Sequence, residues 1–204
     1  MHCPARQQLS FETAAECTCG ISLPALEQFM VMTPMLGPGV NDLRNELTRR
    51  EVGQVMQEIA RLERSLPQLG FSVVLTAAPR EIGLSLYALW LFNRTGIANA
   101  VERGGANRQV LLVVDSDMGH AACMAGYGLE PFLGEELIHN ALNAFSTALA
   151  AGQLSPGILQ LLAEMECLLI DCAESLENAF GIAPFEFQGL AHLIESEQEG
   201  GVVY

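Results

Sequence analysis

The sequence predicts an α/β fold in which a mixed, mostly parallel sheet is sandwiched between helices. Residues 71–77 and 109–115 are β-branched, apolar runs with the composition of buried strands. Helical periodicity over residues 85–94 lies between them, and a strand–helix–strand unit forms a right-handed parallel crossover. Hydrophobic residues make up 50% of the 204 residues and charged residues 17%, which is enough for a large core under helices on both faces of the sheet.

Caps, turns and periodicity define the other elements. Thr48 and Glu51 form a capping box, and the apolar residues that follow recur with the helical period. A polar turn after the second strand predicts a hairpin, and Ser155 is the predicted cap of a later helix. The elements predicted in this way are a helix at 49–66, a hairpin strand at 120–127, and helices at 134–151 and 155–176.

The chain is predicted to have one main domain with shorter segments on both sides. Residues 1–32 form a cysteine-bearing segment, and residues 33–42 are rich in Pro and Gly and are predicted to be a linker. Residues 43–176 hold the α/β domain, and residues 177–204 are predicted to be a peripheral helix and an acidic tail.

The charges are distributed unevenly along the chain. All ten basic residues are arginines, the last being Arg108, whereas residues 109–204 carry fourteen acids and account for the net charge of -14. Lys and Arg contacts to phosphate dominate nucleic-acid affinity, so we expect no nucleic-acid partner. The acidic half would attract a cation or a basic protein partner, although solvation of helix surfaces also explains it.

No segment is predicted to enter a membrane. The longest apolar runs, such as residues 110–114 and 158–162, are far too short to cross a bilayer. The first residues lack the pattern of a secretory signal. The expected compartment is therefore the cytoplasm.

The N-terminal cysteines resemble a degenerate zinc ribbon. Such a ribbon needs two C-x-x-C knuckles that supply four thiolates, and here the inner positions hold an arginine and a glutamate. Cys3, Cys17 and Cys19 are the remaining candidate ligands, with His2 as a fourth. Because structural zinc requires a closed set of four ligands, we do not expect zinc to bind.

Polar residues follow both predicted parallel strands at their carboxyl ends, where open α/β sheets bind ligands. Thr76 and Arg80 come after the first strand, and Asp115 and Asp117 after the second. Paired carboxylates suit Ca²⁺ or Mg²⁺, while Arg80 and Thr76 would bind an anionic substrate. Ordinary capping of the loops is the alternative interpretation.

The opposite edge of the sheet gathers a second set of polar residues. Asn107 and Arg108 precede the second strand, and Glu130 follows the predicted hairpin. Several glycines lie beside them and would let a ligand approach the backbone. Loop capping explains this set as well.

Three motifs resemble the TPM domain family, often labelled TPM phosphatase. They are LYALWLF at residues 86–92, QVLLVVD at 109–115 and GYGLE at 126–130, within a similarity that spans roughly residues 45–170. The resemblance implies an α/β sandwich and two functional classes. Some members are described as acid phosphatases with a divalent cation, and others as accessory factors of membrane complexes.

The sequence also departs from the family pattern. Arg108-Gln109 stands where the family usually has Asn-Gly, and Met118-Gly119 where it usually has Asp-Arg. These departures favour a non-catalytic accessory factor with a protein partner. The alternatives are a divalent-metal-assisted acid phosphatase that hydrolyses phosphomonoesters, with Asp115 and Asp117 holding the cation and Arg80 orienting the phosphate, and a calcium-binding module.

Overall fold

The computed structural model describes most of the chain between residues 20 and 180. The described residues are 20, 22–30, 32–67, 69–97, 108–126, 129 and 135–180, without the side chains of 135–138, 140, 144 and 172–180. They form the helices α1 (Leu23–Glu27), α2 (Arg49–Ser65), α3 (Leu84–Arg94), α4 (Glu135–Ala150) and α5 (Leu154–Phe180), and the strands β1 (Gly39–Asp42), β2 (Gly70–Leu75), β3 (Gln109–Asp115) and β4 (His120–Ala125).

The four strands form one sheet in the order β1-β2-β3-β4. β1 and β2 are parallel, β2 and β3 are parallel, and β4 runs antiparallel to β3 as the partner in a hairpin. The crossover from β2 to β3 contains α3, as the strand–helix–strand pattern predicted. The predicted mixed, mostly parallel sheet is therefore confirmed.

Each face of the sheet carries its own hydrophobic cluster. On one face, Phe71, Val73, Leu112 and Val114 pack in a cluster that includes buried residues of α2, α4 and α5. On the other face, alternate residues of β2 and β3 pack against α3 and α1, with Trp90 buried among them. Near-continuous burial of β2 and β3 on both faces explains why both strands are apolar runs rather than alternating sequences.

The segment predicted as a linker contains a strand at its end. Residues 39–42 pair with β2 from Gly39 opposite Ser72 to Asp42 opposite Leu75. The strand is four residues long, follows Pro38 and begins at Gly39 with φ of 84°, so its sequence has the composition of a turn. Pairing with the buried strand β2 overrides that local preference.

Two helices also differ from the predictions. α1 was not predicted; Ser22 caps it by accepting a hydrogen bond from the Ala25 N–H. α5 begins at Leu154, so Ser155 lies inside the helix and is buried instead of acting as its cap. Among the helices in the described ranges, none combines the length and hydropathy needed to span a bilayer.

The predicted capping box at the start of α2 is confirmed. The Thr48 N–H donates to a Glu51 carboxylate oxygen at 2.8 Å, and the Glu51 N–H donates to the Thr48 hydroxyl at 3.3 Å. The hydrogen bond from the Thr48 hydroxyl, followed by that from its backbone, lowers the pKa of Glu51.

We expect the Glu51→Gln variant to be less stable than the wild type at neutral pH and to approach it in acid. A carboxylate with a lowered pKa in the folded state contributes stability above its unfolded pKa, and this contribution is lost as the pH falls through the folded pKa. Urea unfolding of both proteins at neutral and acidic pH measures the difference. If the difference in stability between the two proteins did not shrink in acid, the charge of Glu51 would not be what stabilises the cap.

A buried polar network joins the first three strands. The Ser72 hydroxyl accepts hydrogen bonds from the Gly39 N–H at 3.3 Å and from the Gln109 side-chain amide at 3.0 Å. A side chain at Gly70 could not be accommodated while Gln109 keeps this position, because a Cβ there would lie 2.1 Å from Gln109 Oε1. Gln109, one of the departures from the family pattern, thus bridges β3 to β2.

The Ser72→Ala variant should be destabilised by about 1–3 kcal/mol, because it leaves the Gln109 amide and the Gly39 N–H without their buried acceptor. Urea unfolding measures the loss, and Ser85→Ala, an exposed position on α3, serves as the control. Equal stability of the two variants would show that the network contributes little.

Candidate functional site

The carboxyl edge of the sheet gathers polar residues from three strands. Asp42 ends β1, Thr76 follows β2 and Asp115 ends β3. The parallel registers place Asp42 beside Leu75, and Leu75 beside Val114, so Thr76 and Asp115 lie level with each other and one residue beyond Asp42. The structure therefore brings Thr76 and Asp115 to the same edge, as their positions after adjacent parallel strands implied.

Asp115 is almost fully buried, with 3% of its surface exposed. Its Oδ2 accepts a hydrogen bond from the Ala78 N–H at 2.9 Å, and its Oδ1 accepts one from the Met118 N–H at 3.2 Å. These bonds join the loop after β2 to the turn between β3 and β4. Asp115 thus acts as a structural link between two loops.

Thr76 is held from two directions. Its N–H donates to the Val114 carbonyl at 3.0 Å, which continues the sheet by one residue. Its side chain also interacts with that of Tyr87: burial raises the pKa of Tyr87, and the interaction with Thr76 partly offsets this rise. Arg80, in the loop beyond, is exposed and has no ion pair among the residues that the structure describes.

Asp117 lies in the turn and is bound to an arginine that the sequence did not single out. Arg44 Nη2 donates to Asp117 Oδ2 at 2.6 Å, and Arg44 Nε donates to Glu46 Oε1 at 3.3 Å. The charge of Asp117, followed by the hydrogen bond to Glu46, raises the pKa of Arg44. Ser116 donates its hydroxyl hydrogen to the same Glu46 oxygen. The guanidinium therefore neutralises charge between two carboxylates.

The loop that carries Arg44 is organised by Asp42. Asp42 Oδ1 accepts hydrogen bonds from the N–H groups of Arg44 at 3.2 Å and Glu46 at 3.1 Å. Its Oδ2 accepts one from the Leu47 N–H at 2.8 Å. Asn45, between them, has a φ of 56°, a left-handed conformation that asparagine tolerates better than most residues.

One carboxylate oxygen at this edge has no internal partner. Glu46 Oε2 is buried and accepts no hydrogen bond from the residues that the structure describes. A buried acceptor without a partner is costly, so this atom is a position where a further donor or a cation would be stabilising. Among all the residues that the structure describes, no three His, Cys, Asp or Glu side chains are arranged as a metal-ligand group.

The other candidate residues are separated from this edge or lie outside the described ranges. Arg108 is exposed immediately before β3, at the opposite edge of the sheet. The remaining candidates, Asn107, Glu130, Cys3, Cys17 and Cys19, lie outside the described residues. The second-edge set and the zinc-ribbon ligands therefore stay predictions.

Arg44, Asp42 and Glu46 are the residues that sequence reasoning missed. All three belong to or directly follow β1, the strand that was mistaken for part of a linker. The available signal was Asp42 after the short run Gly39-Val40-Asn41, which places a carboxylate at the end of a strand just as Asp115 is placed.

The protein is a small α/β domain, with helices on both faces of a mostly parallel sheet and polar loops at its carboxyl edge. Solved structures share this fold. The N-terminal domain of a protein from P. gingivalis has a TM-score of 0.54 at 20% identity, covering 70% of this chain and 83% of that one. The BA42 protein from Bizionia argentinensis has a TM-score of 0.54 at 16% identity, covering 64% and 86%.

The TPM domain matches residues 40–166, well over half of the chain, and the protein belongs to the TPM domain family. The match begins at β1 and includes every strand of the sheet and the first half of α5. The comparison with curated proteins gave no match.

Proposed function

We propose that this TPM domain is a non-catalytic binding domain that serves as an accessory factor in a larger protein complex. The observation that carries the proposal is the position of Arg44, whose guanidinium contacts Asp117 and Glu46 at the carboxyl edge. A fixed positive charge therefore lies among the carboxylates that a divalent cation would need.

The backbone hydrogen bonds of the other two carboxylates support the same proposal. Asp115 and Asp42 direct their oxygens at N–H groups of the loops that they hold in place. Ca²⁺ requires six to eight oxygen ligands, and Mg²⁺ a regular octahedron. To serve as ligands, these side chains would have to give up bonds that fix the loops, so their arrangement suits a rigid scaffold.

Exposed apolar side chains are the second support for a binding role. Six large hydrophobic side chains are exposed among the described residues, and exposed apolar area of this kind suits contact with another protein. They are Phe29, Met32, Met35, Leu43, Met56 and Met118. Four of the six are methionines, whose flexible side chains adapt to different partner surfaces.

A metal-assisted acid phosphatase, or a simpler calcium-binding module, is the second candidate. Glu46 Oε2 favours it, since this buried oxygen is free to accept a cation. In that case Asp115 and Asp117 would hold the cation, Arg80 would orient the phosphate, and Thr76 would lie beside it. Arg44 would have to move away first.

Hydrolysis of p-nitrophenyl phosphate tests the choice between the two. The wild type and the Asp115→Asn/Asp117→Asn double variant are assayed at acidic and neutral pH, with Ca²⁺, with Mg²⁺ and with a chelator. We expect no hydrolysis above the buffer background in either protein. Metal-dependent turnover that the double variant loses would overturn the proposal in favour of the phosphatase.

A further inference from the structure

The outer edge of β1 carries backbone groups that no strand pairs with. β1 is the first strand of the sheet order, so its far side has no neighbour among the described residues. The N–H groups of Gly39 and Leu43 point to β2, the former to Ser72 Oγ and the latter to the Leu75 carbonyl. Backbone groups alternate along a strand, so those of Val40 and Asp42 point outward.

Met56 of α2 covers this edge with a weak acceptor. The Val40 N–H donates to Met56 Sδ at 3.3 Å, and 41% of the Met56 side chain is exposed. Gly39 makes room for it, because a Cβ at Gly39 would lie 2.4 Å from Met56 Sδ. A thioether accepts hydrogen bonds less well than a carbonyl, and the methionine side chain turns easily. The Met56 side chain can therefore be displaced from the edge of β1.

The flank of α2 beside Met56 is small and positively charged. Glu63, which accepts a hydrogen bond from the Phe71 N–H, lies about 20° from Met56 on the side toward the core. On the side toward solvent, with about 100° per residue, Arg49, Gly53 and Ala60 lie within about 60° of Met56, and Arg64 lies about 80° away. All four are exposed, and neither arginine has an ion pair among the described residues.

The far side of α2 is already occupied. Arg61, about 140° from Met56, binds Glu58 of the same helix and Glu166 of α5. The Ser65 hydroxyl also donates to Glu166 at 2.9 Å. Packing against α5 therefore uses the arginine on that side and leaves those beside β1 free.

We propose that the outer edge of β1 is a docking site for an extended, acidic segment of a protein partner, which pairs with β1 as a fifth strand. Carbonyl groups of the segment replace Met56 Sδ at the Val40 N–H, and its acidic side chains pair with Arg49 and Arg64. Met35, which is 98% exposed in the segment before β1, offers it an apolar contact. This inference rests on the proposed function and names the chemistry of the partner.

The partner expected here differs from the basic partner that the net charge suggests. Residues 39–65 carry five arginines and five acids, but each of these acids accepts a hydrogen bond within the domain, whereas Arg49, Arg50 and Arg64 have no ion pair among the described residues. Charges beside the docking site decide which side chains of a partner pair there, whereas the net charge of the protein acts at longer range.

The test uses a fluorescein-labelled octapeptide of alternating valine with aspartate or glutamate, and measures its binding to the full chain by fluorescence anisotropy. The wild type should bind it, and Arg49→Glu should weaken binding about tenfold. Arg50→Glu is the matched control, since Arg50 is the next residue on the same helix but lies about 120° from Met56. Glutamate is favourable in the first turn, so both variants should fold.

Peptide variants separate strand pairing from simple charge attraction. A peptide with proline at its centre should not bind, because proline interrupts the ladder of hydrogen bonds. A peptide in which lysine replaces each aspartate and glutamate should not bind either, because its charge is reversed. Absence of binding by the acidic peptide, equal effects of Arg49→Glu and Arg50→Glu, or undiminished binding of the proline peptide would each overturn the proposal.

Hydrogen exchange checks that the edge is open in the free protein. The Val40 amide should exchange faster than that of Val73 in β2 and should slow when the acidic peptide binds. A Val40 amide that is already protected, or a protein that self-associates through β1, would mean that another segment occupies the edge and would overturn the proposal. Phosphatase activity would instead refute the proposed function and leave the peptide result to stand by itself.

Discussion

Replacing Asp115 with alanine is expected to lower the free energy of unfolding by about 2–4 kcal/mol. The substitution leaves the N–H groups of Ala78 and Met118 without the buried carboxylate that accepts both of their hydrogen bonds. Each such loss costs about 1–3 kcal/mol, because water does not readily replace the lost acceptor in a buried position. Urea unfolding monitored through the fluorescence of the one tryptophan, Trp90, measures the change.

Asp117→Ala is the matched control for this experiment. Asp117 lies two residues away and is exposed, and its ion pair with Arg44 is a surface interaction worth about 1 kcal/mol or less. Asp115→Asn should fall between the two, since its remaining amide oxygen can accept one of the two bonds. If Asp115→Ala were as mild as Asp117→Ala, the structural role of Asp115 would be refuted.

Replacing Arg44 with glutamine should raise the affinity of the carboxyl edge for Ca²⁺ by up to about fivefold. The wild-type guanidinium pairs with Asp117 and Glu46, and its removal leaves these two carboxylates without their cation. Solvent screens a charge at an exposed site, so the gain is that of a surface interaction and falls as the salt concentration rises. Equilibrium dialysis against radioactive calcium measures the affinity.

Arg94→Gln provides the control for the calcium experiment. Arg94 also forms a surface ion pair, with Glu27 at 2.8 Å, and the substitution changes the net charge of the protein by the same amount. It should leave calcium binding as in the wild type. Equal calcium affinities for Arg44→Gln and the wild type would show that Arg44 does not neutralise the site.

The elements that the sequence predicted correctly are those whose local signal and tertiary packing agree. β2 and β3 are apolar because the sheet is covered on both faces, so composition alone identified them. The start of α2 was predicted from Thr48 and Glu51, whose capping interactions depend on a few adjacent residues. The family motifs predicted the same arrangement, and the match to the TPM domain covers these elements.

β1 could not be predicted in this way because its stability comes from a neighbour distant in sequence. The segment before and within β1 contains Pro38 and Gly39, which locally favour a turn. Its pairing with β2 and the hydrogen bond from Gly39 to Ser72 compensate for that preference. Contacts between residues more than thirty positions apart leave little trace in a local pattern.

The candidate site was predicted in part for the same reason. Thr76 and Asp115 were found because they follow recognisable strands, and the structure places them at one edge. Arg44 was missed because it follows β1, and its ion pair with Asp117 spans 73 positions in the sequence. Two acidic residues in a short motif suggest a metal site, and only the fold reveals that Arg44 pairs with Asp117, the second of them.

We propose that Arg44 and the loop N–H groups occupy the carboxylates of the carboxyl edge, so that this edge does not serve as a metal centre. Calorimetric titration of the chelator-stripped wild type with Ca²⁺ and Mg²⁺ tests it most directly, with the Asp115→Asn/Asp117→Asn double variant alongside. We predict only the heat of dilution for both ions in both proteins. Micromolar binding by the wild type that the double variant loses would contradict the account and identify the edge as a cation site.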